Sequence, residues 1–276
     1  MLSYLHGFHA GNFADVHKHL LLTLALDYLL KKDKPLAVID IYAGAGFYDL
    51  SDAEATKTGE ADQGVRALPA TGWPEGAGRY REVIQNAAGT QWPPAFYPGS
   101  PQIAADLIRP TDRLILNELH PREYEVLKDR FGNDSRVHIH HRQALEALLA
   151  LVPPPEKRGL VLIDPSYEVK EEYRSVPEAL ARAEQKWPNG VFMLWYPLLA
   201  AGAHRGLVDR VEKLTKAPLL QSEFCIRPPG VGMHGSGMLV LNPPWTLMES
   251  VDSLRDWLGV SQQPGGEWRL EMRRSG

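Results

Sequence analysis

The sequence predicts an α/β protein with an open, mostly parallel sheet of seven strands and a small helical insertion. Short apolar runs of strand length alternate with longer segments of helical periodicity, which is the pattern of strands joined by crossover helices. One run, residues 159–163, is apolar without interruption after its glycine, as expected of a strand buried on both faces. Residues 51–97 interrupt the alternation, because they are rich in glycine, proline, alanine and acidic residues.

Size and composition indicate one large domain. With 276 residues, 44% of them hydrophobic, the chain can bury a substantial core. We expect residues 1–50 and 98–276 to form the main domain and residues 51–97 to form a helical insertion subdomain. The single cysteine, Cys225, excludes a disulfide framework and a cysteine-ligated zinc site. No signal peptide or long apolar run is visible, so a cytoplasmic protein without a membrane partner is expected.

The first helix is predicted to begin after Asn12. Asn12 can cap this helix, and Asp15 stands three residues on, as in a capping box. Apolar side chains at helical spacing predict its buried face: Phe13, Val16, Leu20, Leu24 and Tyr28. His17 and His19 would point to different faces of the helix, so we reject a metal site in this histidine-rich region.

The first predicted strand, residues 35–41, is followed at once by a Gly-x-Gly turn. Gly44 and Gly46 would let the backbone approach a ligand closely. A dinucleotide site would have a third glycine where Asp49 stands, which disfavours a nicotinamide-dependent oxidoreductase. Asp40, at the end of the strand, suits a ligand with a cationic amine, such as the methionine part of S-adenosylmethionine.

Two further strands are predicted at residues 113–118 and 137–140. Glu118 ends the first, at the position where an acid binds ribose hydroxyls in nucleoside-binding sheets. The same acid could instead cap the helix that follows it. Gln143 and Ala144 follow the second strand, where a group that contacts adenine is expected.

The remaining elements complete the predicted sheet. Ser100 is predicted to cap a helix directly after the insertion. The other predicted elements are helical segments at 58–68, 79–88, 144–151, 171–185 and 203–214, strands at 190–197, 219–227 and 237–245, and a glycine-rich loop at 229–237.

The strand at residues 159–163 breaks abruptly into Asp164, Pro165, Ser166 and Tyr167. Because Pro165 cannot donate to a sheet ladder, pairing stops there and Asp164 is left at the carboxyl end of a central parallel strand, where open α/β sheets bind ligands. The Asp164 carboxylate and the Pro165 carbonyl can each accept one N–H of an exocyclic amine such as that of adenine, and Tyr167 can stack on the ring. A common Asp-Pro turn or a helix N-cap would explain the same residues.

A second motif of this kind, Asn-Pro-Pro-Trp, stands at residues 242–245 and looks more like an amine-methylating motif. The order of the chain favours Asp164. If Asp164 is the acceptor, four features follow four successive predicted strands of the main sheet. In chain order they are the glycine turn, the ribose-binding acid, the adenine contact and the catalytic acceptor. Use of Asn242 would require a rearranged sheet.

The net charge of −4 requires any nucleic-acid-binding face to be local. Three groups of basic residues are candidates, although solvated helix faces or a tail explain them equally well and are favoured. The groups are Lys31, Lys32 and Lys34; Arg205, Arg210, Lys213 and Lys216; and Arg269, Arg273 and Arg274.

These motifs, in this order, also carry a family resemblance. They lie at residues 1–4, 6, 9–12, 14–15, 18–19, 43–46, 58–60, 97–101, 118–121, 162–165, 195–197, 236–238 and 242–245. Over nearly its whole length the chain resembles the bacterial 23S ribosomal RNA adenine-N6 methyltransferases of the J type.

The resemblance implies a Rossmann-like class I methyltransferase sheet, S-adenosylmethionine as the methyl donor, and adenine 2030 of 23S rRNA as the acceptor. Separately from the resemblance, we expect a monomer without a bound metal ion. The donor-binding positions of the family fall on His19, Tyr42, Ser100, Glu118, Gln143, Ala144 and Asp164, beside the Asp40, Gly44 and Gly46 of the first strand and turn. Asp164 would be the catalytic acceptor, helped by Pro165 and Tyr167. Tyr4, His6, Lys18 and Ser166 would touch the substrate.

Three departures from the family pattern affect four positions. Tyr42 replaces a histidine, and Gln143 and Ala144 replace an Asp-Gly pair, so the donor would meet an uncharged amide. Ser166 replaces a second proline, which leaves the turn freer and could lower the rate by loosening alignment. Methylation of DNA adenine or of a protein glutamine, or an RNA-binding role without catalysis, remain alternatives.

Overall fold

The computed structural model describes residues 4–262 and 267–274, and its main feature is one large sheet. Residues 1–3, which open the family motif, lie outside the described residues. The strands are β1 (Ala37–Asp40), β2 (Phe47–Asp49), β3 (Phe96–Pro98), β4 (Arg113–Asn117), β5 (Val137–His140), β6 (Gly159–Ile163), β7 (Val191–Leu199), β8 (Leu219–Cys225), β9 (Met233–Leu241) and β10 (Glu267–Arg274).

Helices cover both faces of this sheet. They are α1 (Phe13–Leu30), α2 (Ala53–Thr58), α3 (Gly78–Ala88), α4 (Ser100–Leu107), α5 (Pro121–Phe131), α6 (Ala144–Leu151), α7 (Glu172–Lys186), α8 (Ala203–Leu214), α9 (Leu247–Asp252) and α10 (Arg255–Gln262). Within the described residues, none of these helices combines the length and the apolarity needed to cross a membrane.

The strand order in the large sheet is β10-β8-β9-β7-β6-β1-β4-β5. Strands β5, β4, β1, β6 and β7 are mutually parallel, whereas β9 runs antiparallel to β7 and β8, and β10 runs antiparallel to β8. The mixed α/β, mostly parallel architecture is confirmed, but the described sheet has eight strands where seven were predicted. The additional strand is β10, whose alternating charged side chains read in the sequence as a tail.

The directions of the strands define two edges of the sheet. The carboxyl ends of β1, β4, β6 and β7 lie at one edge, which we call the site edge. Because β9 runs the opposite way, its carboxyl end lies at the far edge, beside the start of β7. Strand direction therefore separates the ends of β6 and β9.

The segment 51–97 lies between β2 and β3, which pair with each other in a small antiparallel sheet. It contains α2, α3 and short 3-10 turns at Glu60–Gln63, Val65–Ala67 and Glu75–Ala77. Tyr80 and Ile84 of α3 are buried in the same apolar cluster as α1. The segment therefore packs onto α1, the helix that carries several candidate site residues.

Helix α1 begins as predicted, with the Asn12 side chain accepting a hydrogen bond from the Asp15 N–H at 2.9 Å. The prediction that only one face of α1 is buried is wrong for the first half of the helix, because that half is buried on all sides. In the second half, Leu24 and Tyr28 of the predicted face are only half-buried. The reason is that the helix packs against strand β9 of the sheet and also against α3, α4 and α9. Lys18, although charged, is therefore placed inside the protein.

Two predicted boundaries also differ from the structure. Gly99 is the N-cap of α4 and Ser100 is its first helical residue, although Ser100 was predicted as the cap. Strand β9 starts at Met233, so the glycine-rich loop is shorter than predicted. Strand pairing is possible at Gly235 and Gly237 because neither residue has a side chain. A Cβ at Gly237 would lie 2.2 Å from the Tyr196 ring.

Candidate functional site

Two cavities meet at Asp164 on the site edge. Cavity A has a volume of about 210 Å³ and cavity B a volume of about 320 Å³. Both are lined by the same five predicted residues: Tyr4, His6, Lys18, Asp164 and Ser166. The structure thus brings the N-terminal segment and the end of β6 to one place.

Most of the predicted donor-binding residues line cavity A. They are His19, Tyr42, Gly44, Ser100, Glu118, Gln143 and Ala144. Asp40, Gly46 and Pro165 line neither cavity. Gly46 instead faces α5, where a Cβ would lie 2.9 Å from the Phe131 ring, so its predicted approach to a ligand is replaced by helix packing.

The Asp164 side chain is 15% exposed and forms an ion pair with the buried ammonium of Lys18. Lys18 also lies 2.8 Å from the Asp15 carboxylate, so it bridges two acids. Burial alone would lower the pKa of Lys18, but Asp15 and Asp164 raise it well above its usual value. Lys18 is therefore a permanent cation that lines both cavities, with its donors directed at the two carboxylates.

Asp15 holds the N-terminal segment against the site. Its carboxylate accepts a hydrogen bond from the Gly11 N–H at 2.9 Å and lies 2.8 Å from His6 Nε2. Burial opposes ionisation, but His6, Lys18 and His19 together keep the pKa of Asp15 well below its usual range. The sequence assigned Asp15 only to helix capping. Its position three residues before a lysine on one helix was the signal for the ion pair.

Tyr4 and His6 continue this arrangement toward solvent. The Tyr4 hydroxyl lies 2.9 Å from His6 Nδ1, and the Tyr4 ring stacks on the His9 ring with centroids 5.6 Å apart. His9 in turn lies 3.0 Å from the Glu60 carboxylate. These contacts tie the start of the chain to the segment 51–97.

Glu118 connects the glycine turn to the start of α5. One carboxylate oxygen accepts from the Gly44 N–H at 2.8 Å, and the other accepts from the His120 N–H at 2.6 Å, at the start of α5. Gly44 has φ +60°, and a Cβ there would lie 2.5 Å from the Tyr48 hydroxyl oxygen. Glycine is therefore required at the turn that Glu118 fixes.

Gln143 is already partly engaged. Its side-chain oxygen caps α6 by accepting from the Glu146 N–H at 2.9 Å. The amide NH₂ remains to donate into cavity A. The oxygen also keeps a second lone pair, so Gln143 can still both donate to and accept from a ligand in cavity A.

Several buried polar atoms around cavity A lack a hydrogen-bond partner in the described structure: His19 Nε2, Asp40 Oδ2, His120 Nδ1 and Glu123 Oε2. His19 donates or accepts at its other nitrogen, 2.7 Å from the Tyr97 hydroxyl, and burial keeps its pKa well below the usual value. Burial also raises the pKa of Asp40 to about 7. Buried polar atoms without hydrogen-bond partners are typical of a site where a polar ligand supplies the missing partners.

Aromatic residues form one wall of cavity B. Tyr167 has φ +54° and is 8% exposed, and its hydroxyl donates to the Trp195 carbonyl at 2.8 Å. The Trp195 indole donates to Ser236 at 3.0 Å. Sequence analysis did not select Trp195, although an aromatic residue near the end of the strand next to β6 was a usable signal.

His17 lies below this wall in the core. Its two ring nitrogens lie 2.9 Å from the hydroxyl oxygens of Ser236 and Ser222. Burial lowers its pKa to about 3, so the ring is neutral. His17 and His19 do point to different faces of α1, and the described residues contain no group of three or more side chains able to hold a metal ion.

The competing motif at residues 242–245 lies at the far edge of the sheet. The Asn242 amide donates to the carbonyls of Pro188 and Gly190 at 2.7 and 2.9 Å. Trp245 is 89% exposed. These residues close the turn before β7 and are separated from cavities A and B by the length of the sheet.

Comparison with known proteins gives consistent matches over almost the entire chain. The family model described as "Ribosomal RNA large subunit methyltransferase D, RlmJ" matches residues 33–273. A Haemophilus influenzae protein named "Ribosomal RNA large subunit methyltransferase J" is 38% identical over 98% of both chains, and the Escherichia coli protein of that name is 38% identical over 96% of both.

Solved structures agree with this placement. The crystal structure of a Legionella pneumophila protein is 35% identical and superposes with a TM-score of 0.89 over 96% of this chain and 98% of that one. A probable spermidine synthase from Corynebacterium glutamicum, 11% identical, superposes with a TM-score of 0.50 over 96% of this chain and 77% of its own, a likeness of fold alone.

Proposed function

The chain belongs to the RlmJ family of ribosomal RNA large subunit methyltransferases, and we propose that it methylates N6 of one specific adenine in 23S rRNA. The donor is S-adenosylmethionine, which supplies an electrophilic methyl group when bound. The observation that carries the proposal is the position of Asp164, at the carboxyl end of β6, where two cavities meet.

Cavity A fits the donor. His19, which lines it, has a buried ring nitrogen without a partner, and the Gly44 turn gives a close approach to backbone. Asp40 lies behind the lining, next to Ser100. The residues that would hold the donor are His19, Asp40, Tyr42, Gly44, Ser100, Glu118, Gln143, Ala144 and Asp164. Each Glu118 oxygen keeps a second lone pair for a ribose hydroxyl, because carboxylate oxygens accept more than one hydrogen bond.

Cavity B fits the target base. Tyr167 and Trp195 offer aromatic surface for a purine that has been unstacked from its strand, and stacking contributes about 1–3 kcal/mol per base. That gain offsets the cost of unstacking, which is a few kcal/mol. Tyr4, His6 and Ser166 lie at the junction of the cavities, where they would contact the base or its sugar.

Asp164 would orient the reacting amine. Its carboxylate would accept one N–H of the adenine amine, which turns the nitrogen lone pair toward the methyl group. Pro165, the predicted second acceptor, lines neither cavity, so Asp164 carries this contact. Lys18 pairs with one oxygen of Asp164 and so holds the carboxylate in position. Because the amine becomes acidic only as the new bond forms, Asp164 need not be a strong base.

The direct experiment is methylation of a 23S rRNA transcript with isotope-labelled S-adenosylmethionine, followed by nuclease digestion and mass spectrometry. We expect labelled N6-methyladenosine at one position, and none with Asp164→Asn. DNA of the same sequence and a glutamine-containing peptide serve as competing acceptors. Label in either of those, with none in the RNA, would contradict the proposal.

We also propose that the enzyme acts as a cytoplasmic monomer. One chain supplies all the residues that line cavities A and B, so no second copy is needed to complete them. Light scattering at the assay concentration tests this. A dimer whose dissociation abolishes methylation would contradict it.

A further inference from the structure

A third cavity, with a volume of about 650 Å³, lies beside cavity B. We call it the arginine groove and define it by Arg205, Arg227, Arg269, Arg273, His204 and His234. It lies between α8 and the site-edge ends of β7, β8 and β10. Leu199 lines both the groove and cavity B, so the two spaces meet at the carboxyl end of β7. Away from Leu199 they lie on opposite faces of the sheet, because the successive strand residues Met233 and His234 line different spaces.

The groove contains two arginines that no carboxylate neutralises in the described structure. The guanidinium of Arg205 has no ion-pair partner there, and that of Arg227 donates only to the Met233 carbonyl, at 2.8 Å. Both side chains are exposed. The Met233 carbonyl belongs to a residue whose side chain lines cavity B, so this contact lies at the same end of the sheet as the proposed base site.

The other two arginines are neutralised by local ion pairs. Arg269 pairs with Glu267 at 2.8 Å, and Arg273 pairs with Glu212 at 2.6 Å. Glu223, which also lines the groove, accepts hydrogen bonds from Tyr196 and Gln221. Two further acids line the groove, Asp209 and Glu271, and they lie 3.9 and 3.7 Å from Arg273. The positive charge without an ion-pair partner is thus confined to Arg205 and Arg227, in a groove that four carboxylates also line.

A buried histidine adds a second, independent feature. His234 is 6% exposed and lines the groove, and its Nδ1 has no partner in the described structure. His204 Nδ1 is also buried without a hydrogen-bond partner in the described structure. The His204 ring stacks on the Tyr196 ring with centroids 6.1 Å apart. Burial lowers the pKa of both histidines, so at neutral pH each ring offers one donor and one acceptor.

We propose that the arginine groove binds the sugar–phosphate backbone of the RNA strand next to the target adenine, with Arg205 and Arg227 contacting phosphates and His234 contacting a phosphate or ribose hydroxyl. This inference rests on the proposed function. A base unstacked into cavity B brings its flanking nucleotides to the mouth of that cavity, and the groove is the adjoining space. Because the chain carries a net charge of −4, phosphate binding must come from such a local site.

The test compares two charge-matched double variants. Arg205→Glu/Arg227→Glu alters the groove, and Arg182→Glu/Lys213→Glu, at exposed helix positions of α7 and α8 outside it, makes the same change in net charge. With a 23S rRNA transcript, we expect the groove variant to raise KM about tenfold or more, as expected for losing two phosphate contacts. We expect kcat and the affinity for S-adenosylmethionine to stay at the wild-type values. The control variant should change KM little.

A binding measurement gives a second readout. Fluorescence anisotropy with a labelled oligoadenylate should show that the groove variant lowers the slope of log K against log salt by about 1.4, which corresponds to two phosphates on single-stranded RNA. His234→Phe should weaken the same binding with no change in the salt slope. Melting temperatures exclude unfolding, and Arg205→Gln/Arg227→Gln should give an intermediate effect.

Equal KM values and salt slopes in the groove and control variants would overturn the inference. That failure is distinct from failure of the proposed function. If the wild-type protein methylates the transcript while the groove variant behaves like the control, only the groove assignment is wrong. If the wild-type protein does not methylate RNA, the oligoadenylate measurement still decides whether the groove binds a nucleic-acid strand.

Discussion

Two strand ends in this molecule carry motifs of the same type, a short polar residue followed by proline and then, two residues on, an aromatic residue, but their surroundings differ. Strand β6 ends in Asp-Pro-Ser-Tyr at residues 164–167, and β9 ends in Asn-Pro-Pro-Trp at residues 242–245. Strand β6 runs parallel to its neighbours, whereas β9 runs antiparallel to β7. The first motif therefore reaches the site edge and the second reaches the far edge.

Their contacts differ accordingly. Asp164 faces two cavities and a buried ammonium, while Asn242 uses its amide to satisfy two backbone carbonyls of a turn. Tyr167 is buried against Trp195, and Trp245 is exposed. Strand direction, which the motif itself does not specify, decides which of the two motifs stands beside a ligand site.

The largest expected effect separates the two motifs directly. Asp164→Asn should lower kcat by about 10²–10³-fold, the usual cost of removing one charged group that stabilises the transition state. Asn242→Ala should leave kcat unchanged and lower the free energy of unfolding by about 1–3 kcal/mol, because two carbonyls lose their donor. Steady-state methylation and denaturant unfolding measure the two effects. A loss of kcat in Asn242→Ala with donor binding intact would reverse the assignment.

The second prediction concerns Lys18, which contacts the motif at Asp164 and not the motif at Asn242. Lys18→Met should destabilise the fold by about 3–5 kcal/mol, because it leaves Asp15 and Asp164 without their shared cation. Adding Asp15→Asn should restore part of this stability and none of the activity, because Asp164 still lacks its ion pair. Urea unfolding and methylation assays measure this. Full activity in the double variant would show that Lys18 serves stability alone.

The third prediction is a pH dependence at the site edge. Burial raises the pKa of Asp40 to about 7, so this carboxyl is mostly neutral at pH 6 and mostly ionised at pH 8. If Asp40 pairs with the cationic amine of the donor, affinity for S-adenosylmethionine should rise up to about tenfold over this range. Calorimetry should find the rise in the wild-type protein and in Asn242→Ala, and a flat profile in Asp40→Asn. A rise of equal size in Asp40→Asn would assign the titration to another group.

The smallest effect comes from making the two motifs more alike. Ser166→Pro gives residues 165–166 the Pro-Pro pair that β9 already has. By restricting the unfolded chain it should stabilise the protein by about 0.4–1 kcal/mol, and a stiffer turn should raise kcat modestly. Pro244→Ser, the matched control, should lower stability with no change in kcat. A lower kcat in Ser166→Pro would mean that the serine itself is needed at the junction of the cavities.

Features encoded in short stretches of the chain could be predicted. The run at residues 159–163 identified β6 because a strand buried on both faces must be continuously apolar. The Asn12 cap was recognisable because it involves residues three apart. Strand β10 was missed because its exposed, charged alternation is typical of a tail unless a partner strand is known.

The sequence by itself determined where the strands end and which of them carry polar groups at those ends, since these are local signals of hydrophobicity and backbone restriction. Only the tertiary structure decided which ends meet. Lys18 and Asp164 are 146 positions apart, and the direction of β9 depends on its pairing with β7 and β8. An ion pair and a strand direction are both properties of distant segments in contact, so no local pattern could specify them.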